Sequence, residues 1–321
     1  MALFHGSKVK LFSLSSSPKL AEGIAEHIGI PLSDVSVTRF ADGEISVDIP
    51  ETVRGHKVFV IQSTSGPVNE HLMELLIMID ALRRASAREV NVIMPYYGYS
   101  RQDRKARARQ PISAKLVADL LQTAGASRVL SMDLHAPQIQ GFFDIPIDNF
   151  RALPILVDYL QNKGLDNLCV VSPDHGGVAR ARDLADILQA PIAIIDKMRP
   201  EANVAEVMNI IGRVKNKTCI IIDDMIDTGG SIVAASKALK ESGANDIYAC
   251  CTHPLFSRSA PTILNDSVIK EIICTNTIEL PKDKIFPKLI QLSISALIGE
   301  GITHIIDDKG VSSLFSKEFR K

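Results

Sequence analysis

Residues Cys219–Ser231 read CIIIDDMIDTGGS, and this stretch decides the fold. An apolar run of strand character leads into two carboxylates, Asp223 and Asp224. A third acid, Asp227, precedes Thr228, Gly229, Gly230 and Ser231, and a helical pattern, IVAASKALKESG, follows at once. Glycines let backbone N–H groups come close to an anion, and a helix N-terminus adds its dipole. The hydroxyls of Thr228 and Ser231 add donors. The stretch therefore predicts a phosphate cradle at the carboxyl end of a parallel strand, where open α/β sheets bind ligands. Carboxylates beside a cradle would repel the anion unless they serve another part of the ligand, such as sugar hydroxyls or a metal ion. The competing reading is an ordinary strand-to-helix turn with capping residues.

Outward from this stretch, strands and helices alternate. Apolar runs at Val9–Leu14, 57–63 (KVFVIQS), 89–96 (EVNVIMPY) and 128–134 (RVLSMDL) read as strands. Leu72, Leu75, Leu76, Ile79 and Leu82 recur at helical spacing within 68–85, and a further helix is expected near 113–124. Ser17 and Pro18 predict a helix start, and Gly29 a stop. This alternation predicts parallel sheets covered on both faces. The pattern also repeats. KVFVIQS, a helix and ASAREVNVIMPYYGYS have counterparts in KTCIIIDD, a helix and SGANDIYACCTHPLFS, offset by about 160 residues. A duplicated α/β domain is expected, with a boundary near Ile147–Arg151. Only the second copy carries the acids; the first has Gln62, Ser63 and Ser65 in their place. The apolar run ITHIID, at 302–307, reads as strand-like.

Composition narrows the classes. With 321 residues, 46% of them hydrophobic, the chain can bury two cores. Lysines and arginines number 36 against 37 acids, a net charge of −1, which argues against a nucleic-acid partner. The five cysteines form no CxxC pair and sit in apolar runs, so buried thiols are expected rather than a zinc site. No apolar stretch is long enough to span a bilayer, and the amino terminus lacks the pattern of a secretory signal. A reduced, cytoplasmic protein is the expectation.

Five more segments carry chemistry. FADGE (40–44) is, by itself, a hairpin turn. YYGYSRQD (96–103) leads into RKARAR, a run of cations that suits an anion site or a solvated face. In MDLHAPQIQGFFDIP (132–146), Asp133 and His135 are two apart, so a strand would point both to one side. Taken alone, His135 is equally open as a hydrogen-bonded histidine or a metal neighbour. VSPDHGG (171–177) sets Asp174 beside two glycines, and IDKMRPEANV (195–204) sets Lys197 and Arg199 in a loop. No GxxxxGK[ST] phosphate loop occurs.

The 219–231 stretch resembles the 5-phosphoribosyl-diphosphate motif of type I phosphoribosyltransferase folds. The five further segments, in this order, resemble the ribose-phosphate pyrophosphokinase family, of the phosphate-regulated kind, and the resemblance covers nearly the whole chain. The resemblance implies an α/β protein of two tandem type I phosphoribosyltransferase-like domains, 1–149 and 150–321, with 302–321 packing back on the first. It implies transfer of the diphosphoryl group of ATP to the 1-hydroxyl of ribose 5-phosphate, with Mg²⁺ as cofactor. Lys197 would be the catalytic lysine, and Arg199 would contact the ribose phosphate or the transition state. Asp223 and Asp224 would face ribose hydroxyls, and Asp227, Thr228, Gly229, Gly230 and Ser231 would wrap the 5-phosphate. Phe40, Asp42, Gly43 and Glu44, together with Arg101 and Gln102, would bind ATP, the FADGE loop serving a neighbouring subunit of a homohexamer. His135, Asp133 and Asp174 would attend the metal; His175 is left unassigned. Arg54, Arg109, Ser312, Ser313 and Phe315 would form an allosteric site activated by phosphate and inhibited by ADP. Two alternatives differ in class: a phosphoribosyltransferase, which leaves the duplication and FADGE unexplained, and a non-catalytic regulatory subunit, which should have lost the catalytic loop.

Overall fold

A computed structural model describes Phe4, residues 8–198 and residues 207–314. The chain divides into two compact units. The first comprises Met1–Arg151, Thr277–Glu279 and Ser293–Lys321; the second comprises Ala152–Asn276 and Leu280–Leu292.

The first unit opens with β1 (Val9–Ser13) and α1 (Pro18–Ile28). A separate hairpin follows, β2 (Ser36–Arg39) and β3 (Ile45–Asp48). Then come β4 (Lys57–Ile61), α2 (Val68–Arg84), β5 (Glu89–Met94), α3 (Ser113–Ala124), β6 (Arg128–Met132) and β7 (Ile147–Phe150). The sheet runs β1-β4-β5-β6-β7, every pair parallel. All five residues of β4 are buried, the mark of a central strand covered on both faces. Leu75, Met78, Ile79 and Leu82 of α2 pack on Val58, Val60 and Val92. Each such side chain contributes about 2 kcal/mol by leaving water.

The second unit contains α4 (Leu153–Asn162), β8 (Leu168–Ser172), α5 (Val178–Leu188), β9 (Ile192–Met198) and β10 (Val207–Ile211). It continues with β11 (Thr218–Ile226), α6 (Gly230–Glu241), β12 (Ile247–Pro254), α7 (Ala260–Asn265), β13 (Glu271–Thr275) and β14 (Leu289–Leu292). Its sheet runs β10-β9-β8-β11-β12-β13-β14; β10 is an antiparallel edge and the rest is parallel. The order β8-β11-β12-β13-β14 repeats β1-β4-β5-β6-β7, so the repetition read in the sequence is a repetition of topology. All five cysteines are free and buried, with Cys169 facing Cys219 and Cys251 facing Cys274 across neighbouring strands.

Three local expectations need correction. The run ITHIID is not strand-like: it ends a helix, α8 (Ser295–Ile306), in the first unit. Ile298, Ile302 and Ile305 recur at helical spacing and are buried, and this outweighs the β-branched composition. Gly301 lets α8 lie against β7, since a Cβ there would come within 2.5 Å of the Phe150 ring. Ser17 stands at the N-cap position of α1 but does not cap it. Its hydroxyl instead accepts the N–H of Ser63 at 3.3 Å and pairs with the Ser16 hydroxyl at 3.0 Å. Finally, β6 ends at Met132 and Asp133 turns to φ +39, so strand alternation does not put Asp133 and His135 on one side.

Candidate active site

In the second unit the chain passes from β8 to β9 on one side and from β11 to β12 on the other. The crevice between the carboxyl ends of β8 and β11 is thus a topological switch point, where sheets of this kind hold ligands. β11 pairs with β8 only as far as Ile221 but continues beside β12 to Ile226. Asp223 and Asp224 therefore stand past the end of the β8 ladder.

The acids are sparingly exposed: the side chain of Asp223 is 25% accessible and that of Asp224 is 5%. Arg180, on the first turn of α5, places Nη1 at 3.4 Å from Asp223 Oδ1 and 3.5 Å from Asp224 Oδ1. The Asp224 N–H also donates to Asp223 Oδ1, at 2.9 Å. Burial, then the charge of Asp224, pushes the Asp223 carboxyl up to about 7, against the opposing pull of Arg180. Arg180 was not singled out in the sequence, where an arginine inside VARARDLA looks like a helix-surface cation.

The loop after β11 turns at Gly229, whose φ of +78 favours glycine. A Cβ there would also press on Leu264 at 3.2 Å. At Gly230 a Cβ would meet nothing within 4 Å, and Thr228, Gly230 and Ser231 are exposed. The first α6 bond runs from the Val233 N–H to the Gly229 carbonyl, at 3.0 Å. The N–H groups ahead of Val233 thus have no carbonyl within the helix to donate to. The Asp227 carbonyl accepts the Ser257 N–H at 2.9 Å and anchors the loop from behind.

Across the crevice, the Asp174 turn is similarly built. Asp174 Oδ1 accepts the Gly177 N–H at 3.0 Å, while the Ser172 hydroxyl donates to the Asp174 carbonyl at 2.6 Å. A Cβ on Gly177 would lie 2.9 Å from Ser172 Oγ and would displace that hydroxyl. The side chain of His175 is 68% exposed and meets Asp196 Oδ1 at 3.0 Å. The expectation of a loop at Lys197 needs correction: Lys197 lies on β9, which continues to Met198 because the antiparallel edge strand β10 pairs back on it, Met208 opposite Lys197. The Lys197 side chain lies outside the described residues, as does all of Arg199.

The first unit carries the remaining positions. Phe40 is 60% exposed at the tip of the β2–β3 hairpin. The turn is closed by the Phe40 N–H to the Glu44 carbonyl at 2.9 Å, and by the Glu44 N–H to Asp42 Oδ1 at 3.1 Å. Gly43 takes φ +98 there. After β5, Tyr96 and Tyr97 are buried, and the Tyr97 hydroxyl donates to the Ala114 carbonyl at 2.8 Å. They are packing residues, while Arg101 and Gln102 are exposed. The Gln102 side chain accepts the Ser113 hydroxyl. Asp133 is partly buried, with Arg151 Nε at 3.8 Å, and His135 is exposed.

Arg54, Arg109 and Ser312 are exposed, with Arg109 at φ +67. The Ser313 side chain and all of Phe315 lie outside the described residues. A cavity of about 390 Å³ opens at the amino-terminal ends of β4 to β7, lined in part by Lys57, Arg128 and residues 308–311. Lys57 meets Asp308 at 3.3 Å and Arg128 meets Asp148 at 2.6 Å, so these two cations are already matched.

Residues 9–125 match the model of the N-terminal domain of ribose phosphate pyrophosphokinase, and residues 200–316 match that of the phosphoribosyl synthetase-associated domain. A ribose-phosphate pyrophosphokinase of Bacillus caldolyticus is 63% identical over 96% of this chain and 98% of that protein. The chain belongs to the ribose-phosphate pyrophosphokinase family. The Bacillus subtilis member is 58% identical over 97% of this chain and 99% of its own. The crystal structure of phosphoribosylpyrophosphate synthetase from Mycobacterium smegmatis superposes with a TM-score of 0.90, at 45% identity, over 94% of this chain and 99% of that one. Membership of a pyrophosphokinase family makes the chain an enzyme, a transferase of the kinase class. No helix among the described residues is long and apolar enough to cross a membrane.

Proposed function

We propose that the chain carries out the reaction its family is named for, with the Asp223–Ser231 loop as the seat of ribose 5-phosphate. The 1-hydroxyl oxygen of the sugar attacks the β-phosphorus of ATP. The bond from β-phosphorus to the bridging oxygen breaks, AMP departs, and the hydroxyl proton is released. The product is 5-phosphoribosyl diphosphate. The observation that supports this best is the open α6 N-terminus beside two nearly buried acids at the switch point. The amides of Gly230 and Ser231, with the hydroxyls of Thr228 and Ser231, would grip the 5-phosphate. Asp223 and Asp224 would accept hydrogen bonds from the ribose hydroxyls.

Phosphoryl transfer asks a protein chiefly for positioning and charge neutralisation. Lys197 and Arg199 supply cations for the transferring phosphates. Arg101 and Gln102 bind ATP, and exposed Phe40 offers adenine an aromatic face, with Asp42 and Glu44 as acceptors. The FADGE hairpin completes the site of a neighbouring subunit in a homohexamer.

Mg²⁺ suits the donors present. It prefers oxygen, and Asp174 offers an exposed carboxylate. Among the described residues no three acidic, histidine or cysteine side chains gather on one point. That suits an ion which keeps water and substrate phosphate in most of its shell. Asp174 is the second unit's proposed metal-attending residue, and Asp133 and His135 are those of the first unit. When bound, the ion neutralises charge on the ATP phosphates.

Arg54, Arg109, Ser312, Ser313 and Phe315 form the site at which phosphate activates and ADP inhibits. The free, buried cysteines fit a cytoplasmic protein. Incubated with Mg²⁺, ATP and ribose 5-phosphate, the purified protein is expected to release AMP in step with 5-phosphoribosyl diphosphate. Release of ADP in that proportion would refute diphosphoryl transfer.

A further inference from the structure

β4 is the first unit's counterpart of β11, yet it is followed by Gln62, Ser63, Thr64 and Ser65 with no acid. All four side chains are buried. Buried polar groups find partners, and these partners show what the segment does. Gln62 turns inward: Oε1 accepts the Ser16 N–H at 3.0 Å and Nε2 donates to Glu74 at 3.2 Å. Ser63 and Thr64 turn instead to the loop after β5. Ser63 Oγ accepts the Tyr96 N–H at 3.1 Å, and the Thr64 N–H donates to the Tyr96 carbonyl at 3.0 Å. The Thr64 hydroxyl accepts the Gly98 N–H at 2.7 Å and stands 3.3 Å from the Tyr96 carbonyl, to which it donates.

The approach is close enough to dictate sequence. A Cβ on Gly98 would lie 2.5 Å from the Thr64 carbonyl oxygen and 2.8 Å from its hydroxyl. From Gly98 the chain reaches Arg101 and Gln102 in one further turn, closed by the Gln102 N–H to the Tyr99 carbonyl at 3.0 Å. The far end is pinned where the Ala114 N–H donates to the Gln102 carbonyl at 3.2 Å. The segment is thus fixed at both ends, with the Thr64 hydroxyl as the side-chain anchor at Gly98, and between them the Tyr99 hydroxyl donates to Asn69 Oδ1.

We propose that Thr64 is a positioning residue for ATP: its hydroxyl clasps Gly98 and so sets where Arg101 and Gln102 stand. The strand end that holds ribose phosphate in the second copy has become, in the first, a clasp for the neighbouring loop. This rests on the reading that Arg101 and Gln102 bind ATP.

The test uses the full-length enzyme. Thr64→Val keeps the side-chain shape but leaves the Gly98 N–H without its acceptor. The KM for ATP is expected to rise about tenfold, with the KM for ribose 5-phosphate within about twofold of the parent. Thr64→Ser keeps the hydroxyl and is expected to restore the KM for ATP to within about twofold. If the valine variant does not fold, Thr64→Ala carries the test with the same expected pattern. A merely structural role would lower Tm and move both KM values together, and that result overturns the proposal. So does an unchanged KM for ATP in the valine variant, or failure of serine to restore it. Arg101→Ala, measured alongside, separates the two levels. If it leaves the KM for ATP unchanged, the underlying reading falls; if it raises that KM while Thr64→Val does not, only the clasp falls.

Discussion

Lys197→Ala is expected to lower kcat about a thousandfold while the dissociation constant for ribose 5-phosphate stays within about threefold. The reason begins in the backbone. β9 is parallel to β8, and their ladder ends where Ser172 faces Ile194. Residues 195–198 run past that point, at the same edge of the sheet as Asp174 and Asp223. Asp196, at that edge, lies 3.0 Å from His175. On the proposed mechanism a lysine at 197 would supply a cation where diphosphoryl charge develops, and a cation acting only in the transition state changes kcat without changing ground-state binding. Lys197→Arg keeps the charge but changes its shape and reach, so partial recovery is expected. A kcat for the alanine variant within about tenfold of the parent would remove Lys197 from the chemistry. Loss of ribose 5-phosphate binding in the same variant would make it a binding residue instead.

Asp223→Asn is expected to make the ligand-free protein more heat-stable and the enzyme much worse. The two effects share one cause. The Asp223 carboxyl is pushed up from 3.8 to about 7, first by burial and then by Asp224. A group raised in the folded state holds its proton more tightly there than in the unfolded chain. Its stabilising contribution is complete below pH 3.8 and is lost as pH rises through about 7. At pH 8 the parent therefore carries an ionised Asp223 beside Asp224, and asparagine relieves that cost. Tm of the variant should exceed that of the parent at pH 8, and the gap should close by pH 5. Meanwhile the KM for ribose 5-phosphate should rise roughly ten- to hundredfold, since a charged acceptor is lost. Equal Tm values at pH 8 would show that the acid pair is not strained. An unchanged KM would show that Asp223 does not face the sugar.

Much of the fold could be read from the chain because its central strands are buried on both faces. VFVI (58–61) and CIII (219–222) are unbroken apolar runs, and the same order of strands and helices recurs after about 160 residues. What misled was local. In ITHIID, β-branched residues argue for a strand, while the helical spacing becomes visible only when Ile298 is included. Ser17 has the right residue type for a cap, but its hydroxyl is taken by the Ser63 N–H, just past β4. Asp133 leaves the strand at a positive φ that no pattern announces.

The candidate site divides in the same way. Asp223 to Ser231 is legible because a phosphate loop is contiguous: the acids, the glycine that needs φ > 0 and the helix start are neighbours in the chain. Arg180 was not legible, since its partners lie 43 and 44 positions away. Thr64 meets Gly98 across 34 positions, and a threonine after a strand carries no mark of that use. Tyr96 and Tyr97 stand four or five positions before Arg101 in the chain, but burial separates them from the exposed Arg101.

The most direct measurement is a crystal structure with ribose 5-phosphate bound. The phosphate is expected against the amides of Gly230 and Ser231, with ring hydroxyls on Asp223 and Asp224. Sugar phosphate bound elsewhere while that loop stays empty would contradict the assignment at its root.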